Sequence, residues 1–153
     1  MSDVLTIKGA LVDLLKNDPD IRALLGKDRE GNYPVYLGFD RVLQQPFWPC
    51  ITVDDSYEDG DVSSLGDGYD GSKYREWYWF VPQIDCWAKT VSKRDSIVSQ
   101  VKKTILKGKS TLRTSGAIMI QDPSVLILNE LDRKPPVFRK SMRYRIFYIL
   151  EAS

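Results

Sequence analysis

The chain has 153 residues, 42% hydrophobic and 28% charged, which suits one domain with its own core and leaves no run of about 18 apolar residues for a membrane span. Histidine is absent, which excludes every triad, dyad or metal site that needs imidazole, together with the usual near-neutral general base. The net charge of +1 hides a split, because residues 1–85 hold 8 Lys/Arg against 16 Asp/Glu while residues 86–153 hold 14 against 5. Three readings are open: nucleic acid on the basic half, an acidic surface of one copy meeting a basic surface of the next, or neutralisation inside one domain.

The opening MSDVLTIKGALVDLLKND has no basic leading region and no small-residue cleavage site, so no secretory signal is expected. Val4, Ile7, Leu11, Leu14 and Leu15 form a helical stripe, predicting a helix over 3–16. A second, short helix is expected over 19–25, with Asp18 as cap, Pro19 in the first position and Gly26 as the stop. Leu24 and Leu25 then belong to the core. After the turn KDREGN, residues 33–39 (YPVYLGF) read as a short strand, and an irregular connection leads to Pro49. CITVDD, residues 50–55, alternates like a half-buried strand.

The following SYEDGDVSSLGDGYDG, residues 56–71, carries five acidic residues and four glycines and is expected to be a long acidic hairpin loop, extending to about residue 74. REWYWFVPQIDCWAK, residues 75–89, reads as a long strand in which Pro82 marks an edge, a bulge or a bend. Cys50 and Cys86 fall within strands and are expected to be buried free thiols, with no spacing that suggests zinc. SKRDSIVSQVKKTILKG predicts the clearest helix, with Ser92 and Asp95 as a capping-box-like pair, an apolar face of Ile97, Val98, Val101, Ile105 and Leu106, and Gly108 as the end. Three further β segments are expected near 117–121, near 125–131 and over 140–151. The last puts Met142, Tyr144, Ile146, Tyr148 and Leu150 on one face, with Arg143, Arg145, Phe147 and Ile149 on the other. The order α-β-β-β-α-β-β-β predicts a single α+β domain over 1–153, a mainly antiparallel sheet with helices packed on one face.

Candidate chemistry is sparse. Counted from Asp59, the acidic loop offers Asp59, Asp61, Ser63, Asp67 and Asp70 at calcium-loop spacing, but Ser64 stands where the sharp turn needs glycine and Asp70 where a bidentate Glu is needed. A solvated loop is the favoured reading, and no metal or cofactor is expected. Asp54 and Asp55 are adjacent on a strand end, so their side chains point to opposite faces and do not cooperate, and Asp85 reads as a surface or inter-subunit charge. The glycines at 66, 68 and 71 lack the following helix that phosphate binding uses. No enzymatic activity is expected. Lys102, Lys103, Lys107, Lys109 and Arg113, with RKSMRYR at 139–145, keep a nucleic-acid-binding module open as the alternative.

Several stretches resemble the tail-completion or tail-terminator family of long-tailed bacteriophages. They are Leu14, Leu15, Asp18, Ile21, Leu24, Leu25 and Gly26 followed by Val35-Tyr36; PCITV at 49–53; IDCWAKTVSKRDSIVSQVKKTI at 84–105; and RYRIFYI at 143–149. The resemblance implies a non-enzymatic virion protein, in the host cytoplasm during assembly, that forms a ring, commonly a hexamer, on the end of the tail tube. Its partners would be copies of itself, the tail-tube protein and the head-connector or stopper protein, with DNA only passing through the lumen. Another neck or head-completion protein would share this rhythm. The candidate contact residues are Glu58, Asp59, Asp61, Asp67, Asp70, Trp79, Asp85, Arg143 and Arg145. Trp77, Tyr78, Trp79 and Phe80 are too many large rings for one face of a strand, so some are expected in an interface.

Overall fold

In the computed structural model, residues 3–38, 47–60 and 74–152 are described. Helix α1 (Val4–Asn17) starts where the Asp3 carboxylate accepts from the Thr6 N–H. It stops because Asp18 takes an extended backbone, and the same Asp18 side chain accepts from the Asp20 and Ile21 N–H groups to begin α2 (Pro19–Leu25). Pro19 sits in the first turn, where its missing N–H has no helical partner to lose, and Gly26 ends the helix at φ 68°.

Five strands form one sheet: β1 (Val35–Leu37), β2 (Cys50–Gly60), β3 (Tyr74–Ala88), β4 (Met119–Ile127) and β5 (Phe138–Ala152). The order across it is β1-β2-β3-β5-β4, with β1 and β2 parallel and every other pair antiparallel. Between β3 and β4 run α3 (Val91–Lys107) and the short α4 (Lys109–Thr114). The fold is thus α+β, with a five-stranded, mostly antiparallel sheet and four helices.

The helices lie on one face. Ile7, Leu11 and Leu15 of α1, Ile21 and Leu25 of α2, and Ile97, Val101 and Ile105 of α3 pack on Ile51, Val53, Ile84, Cys86, Met142 and Ile146 of the sheet. Each such side chain, fully buried, contributes about 1.5–3 kcal/mol of transfer free energy. The alternation of β5 is as its sequence reads, with Met142, Tyr144, Ile146 and Tyr148 all in this core. Asp18 ties the layers together, its second carboxylate oxygen accepting from Thr104 Oγ1 of α3 at 3.0 Å.

Several details correct the sequence reading. The order is α-α-β-β-β-α-α-β-β, because α4 is an added helix and the segments near 117–121 and 125–131 are one strand. That strand absorbs Pro123 at an irregularity between Gln121 and Ser124. The α3 cap is Thr90, whose hydroxyl accepts from the Lys93 N–H, and not Ser92. Ser56–Gly60 and Tyr74 belong to strands and not to a loop, while 61–73 lies outside the described residues. Pro82 does mark a bulge. The β2 register slips between Asp55 and Tyr57 opposite it, and the inserted Ser56 donates its hydroxyl to the Val81 carbonyl at 3.1 Å.

Cys50 and Cys86 are free and buried. Cys86 pairs in register with Ile51, so it points into the helix-side core while Cys50 points to the other face, beside Trp87. Burial pushes both thiols up, which keeps them protonated and unreactive.

Candidate functional site

Among the described residues no helix covers the second face of the sheet, and register fixes what it carries. Across β2, β3, β5 and β4 run the rows Cys50–Trp87–Arg139, Thr52–Asp85–Ser141–Leu126, Asp54–Gln83–Arg143–Ser124 and Asp59–Trp79–Phe147–Met119. This face is therefore built from arginines, aromatic rings and polar side chains.

Its floor is rigid. The Trp87 indole N–H donates to Thr52 Oγ1 at 3.0 Å, and its ring stacks on Trp48 at 5.4 Å between centroids. The Arg139 guanidinium lies 4.5 Å above Trp87. Arg139 is itself held on both sides, because its N–H donates to Asn129 Oδ1 at 3.0 Å and its Nε to the Leu128 carbonyl at 3.2 Å. Asp85 sits beneath this guanidinium, 3.9 Å from Arg139 Nη1. Gln83 Nε2 donates to Asp85 at 3.1 Å, and Gln83 Oε1 accepts from Arg143 Nε at 3.3 Å. Desolvation raises the Asp85 carboxyl above its ordinary range, opposed by its hydrogen-bonding neighbours and the two arginines.

Toward the far end of β3 and β5, the Arg145 guanidinium stacks 4.3 Å over the Trp79 ring, and Trp79 leans on Phe147 at 5.1 Å. A stack of this kind is worth about 0.5–2 kcal/mol, more as water leaves it. Arg145 Nε is buried without a hydrogen-bond partner, a donor that an incoming acceptor would satisfy.

The sequence-predicted residues divide clearly. Asp59, Trp79, Arg143 and Arg145 share this open face, whereas Glu58, in register with Phe80 and Ile146, belongs to the helix side of the sheet. Asp85, expected outward, faces the same way but is 0% exposed, so it supports the surface from below and does not form it. Asp61, Asp67 and Asp70 lie outside the described residues. Sequence reasoning had Arg139 only within the basic stretch 139–145 and missed Gln83 and Trp87. Alternation carried back from Arg143 would have put Arg139 on this face, and carried back from Asp85 would have found Gln83.

Among the described residues no group of three or more His, Cys, Asp and Glu is arranged to hold a metal ion, and no helix is long and apolar enough to cross a membrane. The face carries Trp and Arg side chains held by hydrogen bonds and ring stacks, residue types enriched in protein–protein contacts.

No protein-family model matches the chain, and no curated protein matches it. Among solved structures, a chain of the "Virion of native gene transfer agent (GTA) particle" is similar to this one at a TM-score of 0.47 and 14% identity, covering 94% of each chain.

Proposed function

We propose that the chain is a structural virion protein acting by surface complementarity, in the role of a tail terminator. Copies form a ring on the end of the tail tube, stop its polymerisation and present a docking surface to the head connector. The observation that carries this reading is the open sheet face, where Arg145 stacks on the half-buried Trp79 and Arg139 lies over the buried Trp87. The stretches that resemble the tail-completion family fall on α1–α2, the start of β2, the β3–α3 passage and β5, so the likeness runs through the framework that supports this face.

A nucleic-acid-binding role is less well served. Its two basic segments lie on opposite sides of the sheet, with Lys102, Lys103 and Lys107 on α3 and Arg139, Arg143 and Arg145 on the open face. They make no continuous groove for a phosphate backbone.

The test is tail-tube protein polymerised with and without this chain and viewed by electron microscopy. Shorter tubes with the protein at one end are expected, and Arg145→Ala with Trp79→Ala should weaken tube binding at least about tenfold. Tubes of unchanged length with no bound protein would refute the role.

A further inference from the structure

The chain crosses the sheet nearly in order, and this turns a charge split along the sequence into a charge split across the molecule. The described part of the acidic segment 1–85 builds α1, α2, β1, β2 and most of β3, on one side. The basic residues 86–153 build α3, α4, β5 and β4 on the other. Each side ends in a strand edge with no partner among the described residues. On the acidic side, β1 pairs only with Ile51–Val53 of β2, so no described residue pairs with the outer edge of β2 from Asp54 to Gly60, which carries exposed Asp55, Glu58 and Asp59. On the basic side the open edge is β4.

Asp122, Pro123 and the irregularity beside them guard the middle of the β4 edge, with Asp122 3.9 Å from Lys109 Nζ, but its C-terminal end has no such protection. An exposed strand edge is normally guarded by charges, prolines or short length. Pro123 interrupts β4 in its middle, but Val125, Leu126 and Ile127 follow as three consecutive apolar residues, with Leu126 46% and Ile127 63% exposed. Exposed Leu106 of α3 lies beside Pro123 of this strand, with Lys102 and Lys109 lining the same hollow. An apolar strand edge set among lysines is complementary to an acidic strand edge.

We propose that β4 of one copy pairs with the Asp54–Gly60 edge of β2 in a second copy, continuing the sheet from protomer to protomer. This deepens the ring-forming reading above and rests on it. The two edges differ, so the contact is head-to-tail: every copy uses one edge of each kind, the type of contact that builds a ring when the rotation between neighbours closes. Pairing supplies partners for the backbone groups of both edges, covers Leu126 and Ile127, and brings Asp54 and Asp59 toward Arg143 and Arg145 of the neighbour on the open face.

The test uses the full chain and two variants, Ile127→Lys on β4 and the double variant Glu58→Lys, Asp59→Lys on β2, all at exposed positions. Each variant, folded by circular dichroism, should stay monomeric at concentrations where the parent chain assembles. Mixed in equal amounts they should form 1:1 dimers and nothing larger, because each retains one competent edge. In the parent chain, amide exchange at 54–60 and 124–127 should slow at assembling concentration and recover on dilution. If either folded variant assembles like the parent, or the mixture forms no dimers, or protection arises only elsewhere, the edge pairing is wrong while ring formation stands. A parent chain that remains monomeric overturns both.

Discussion

The hydrogen bond between Trp87 and Thr52 anchors the open face, and its removal tests whether that face is a rigid support. The two partners are 2% and 0% exposed, and the Nε1···Oγ1 distance is 3.0 Å, so water does not replace either one. Thr52→Val keeps the shape of the side chain but leaves the indole N–H buried and unpaired, which costs about 1–3 kcal/mol. Trp87→Phe orphans the Thr52 hydroxyl instead and leaves part of the indole volume empty, adding a cavity penalty of about 24 cal/mol per Å³. The double variant has neither polar atom, so its loss should be smaller than the sum of the single losses by about 1 kcal/mol or more. At this chain length 1 kcal/mol moves Tm by about 2–4 °C, so Thr52→Val alone should lower it by roughly 2–12 °C. Urea unfolding followed by circular dichroism, which does not depend on the tryptophan being replaced, reads all four proteins. Losses that add to within about 0.3 kcal/mol would show that the two side chains are not coupled and that the floor is not held by this bond.

Other consequences are as direct. The carboxyl of Asp85 is raised in the folded protein, so the native state holds its proton more tightly than the unfolded chain does. Stability should therefore fall as pH rises from the unfolded value near 3.8 through the raised one, and Asp85→Asn should flatten that limb and raise Tm at pH 7, as thermal melts across pH would record. A Tm that drops at pH 7 would instead mean that the attraction between Asp85 and Arg139 outweighs the cost of burying the carboxylate. A Cβ at Gly108 would stand 2.4 Å from Leu14 Cδ2, so Gly108→Ala makes the partly buried Leu14 side chain swing aside where α1 meets the α3–α4 junction and should cost about 1 kcal/mol. Adding Leu14→Ala should relieve that crowding, and equal Gly108→Ala losses in both backgrounds would contradict the steric cause.

What was legible in the sequence was what depends on neighbours in the chain. Asp18, Pro19 and Gly26 announce α2 because capping and φ preferences act within one turn. The alternation of β5 sorted Met142 and Tyr144 from Arg143 and Arg145 because the side-chain period of a strand is two. Asp85 failed the same logic. Its face was readable, but its burial comes from Arg139 and Gln83 converging over it, and Arg139 lies on another strand. Asp95 is similar: it looked like the partner of Ser92, yet its carboxylate accepts from Lys140 Nζ of β5 at 2.8 Å. KSTLRT is too short to show helical periodicity, so α4 was invisible, and the turn signal in Gln121–Ser124 split β4 because proline tolerated on a strand edge reads like a loop.

The proposed role makes this chain a ring-forming structural component of a virion tail. Native mass spectrometry of the purified protein, alone and then with its tail-tube protein, decides the matter. One closed oligomer is expected at an integer multiple of the 17.5 kDa protomer, with a heavier species when tube protein is added. A 17.5 kDa monomer at every concentration, with no tube-protein adduct, would contradict the proposed role.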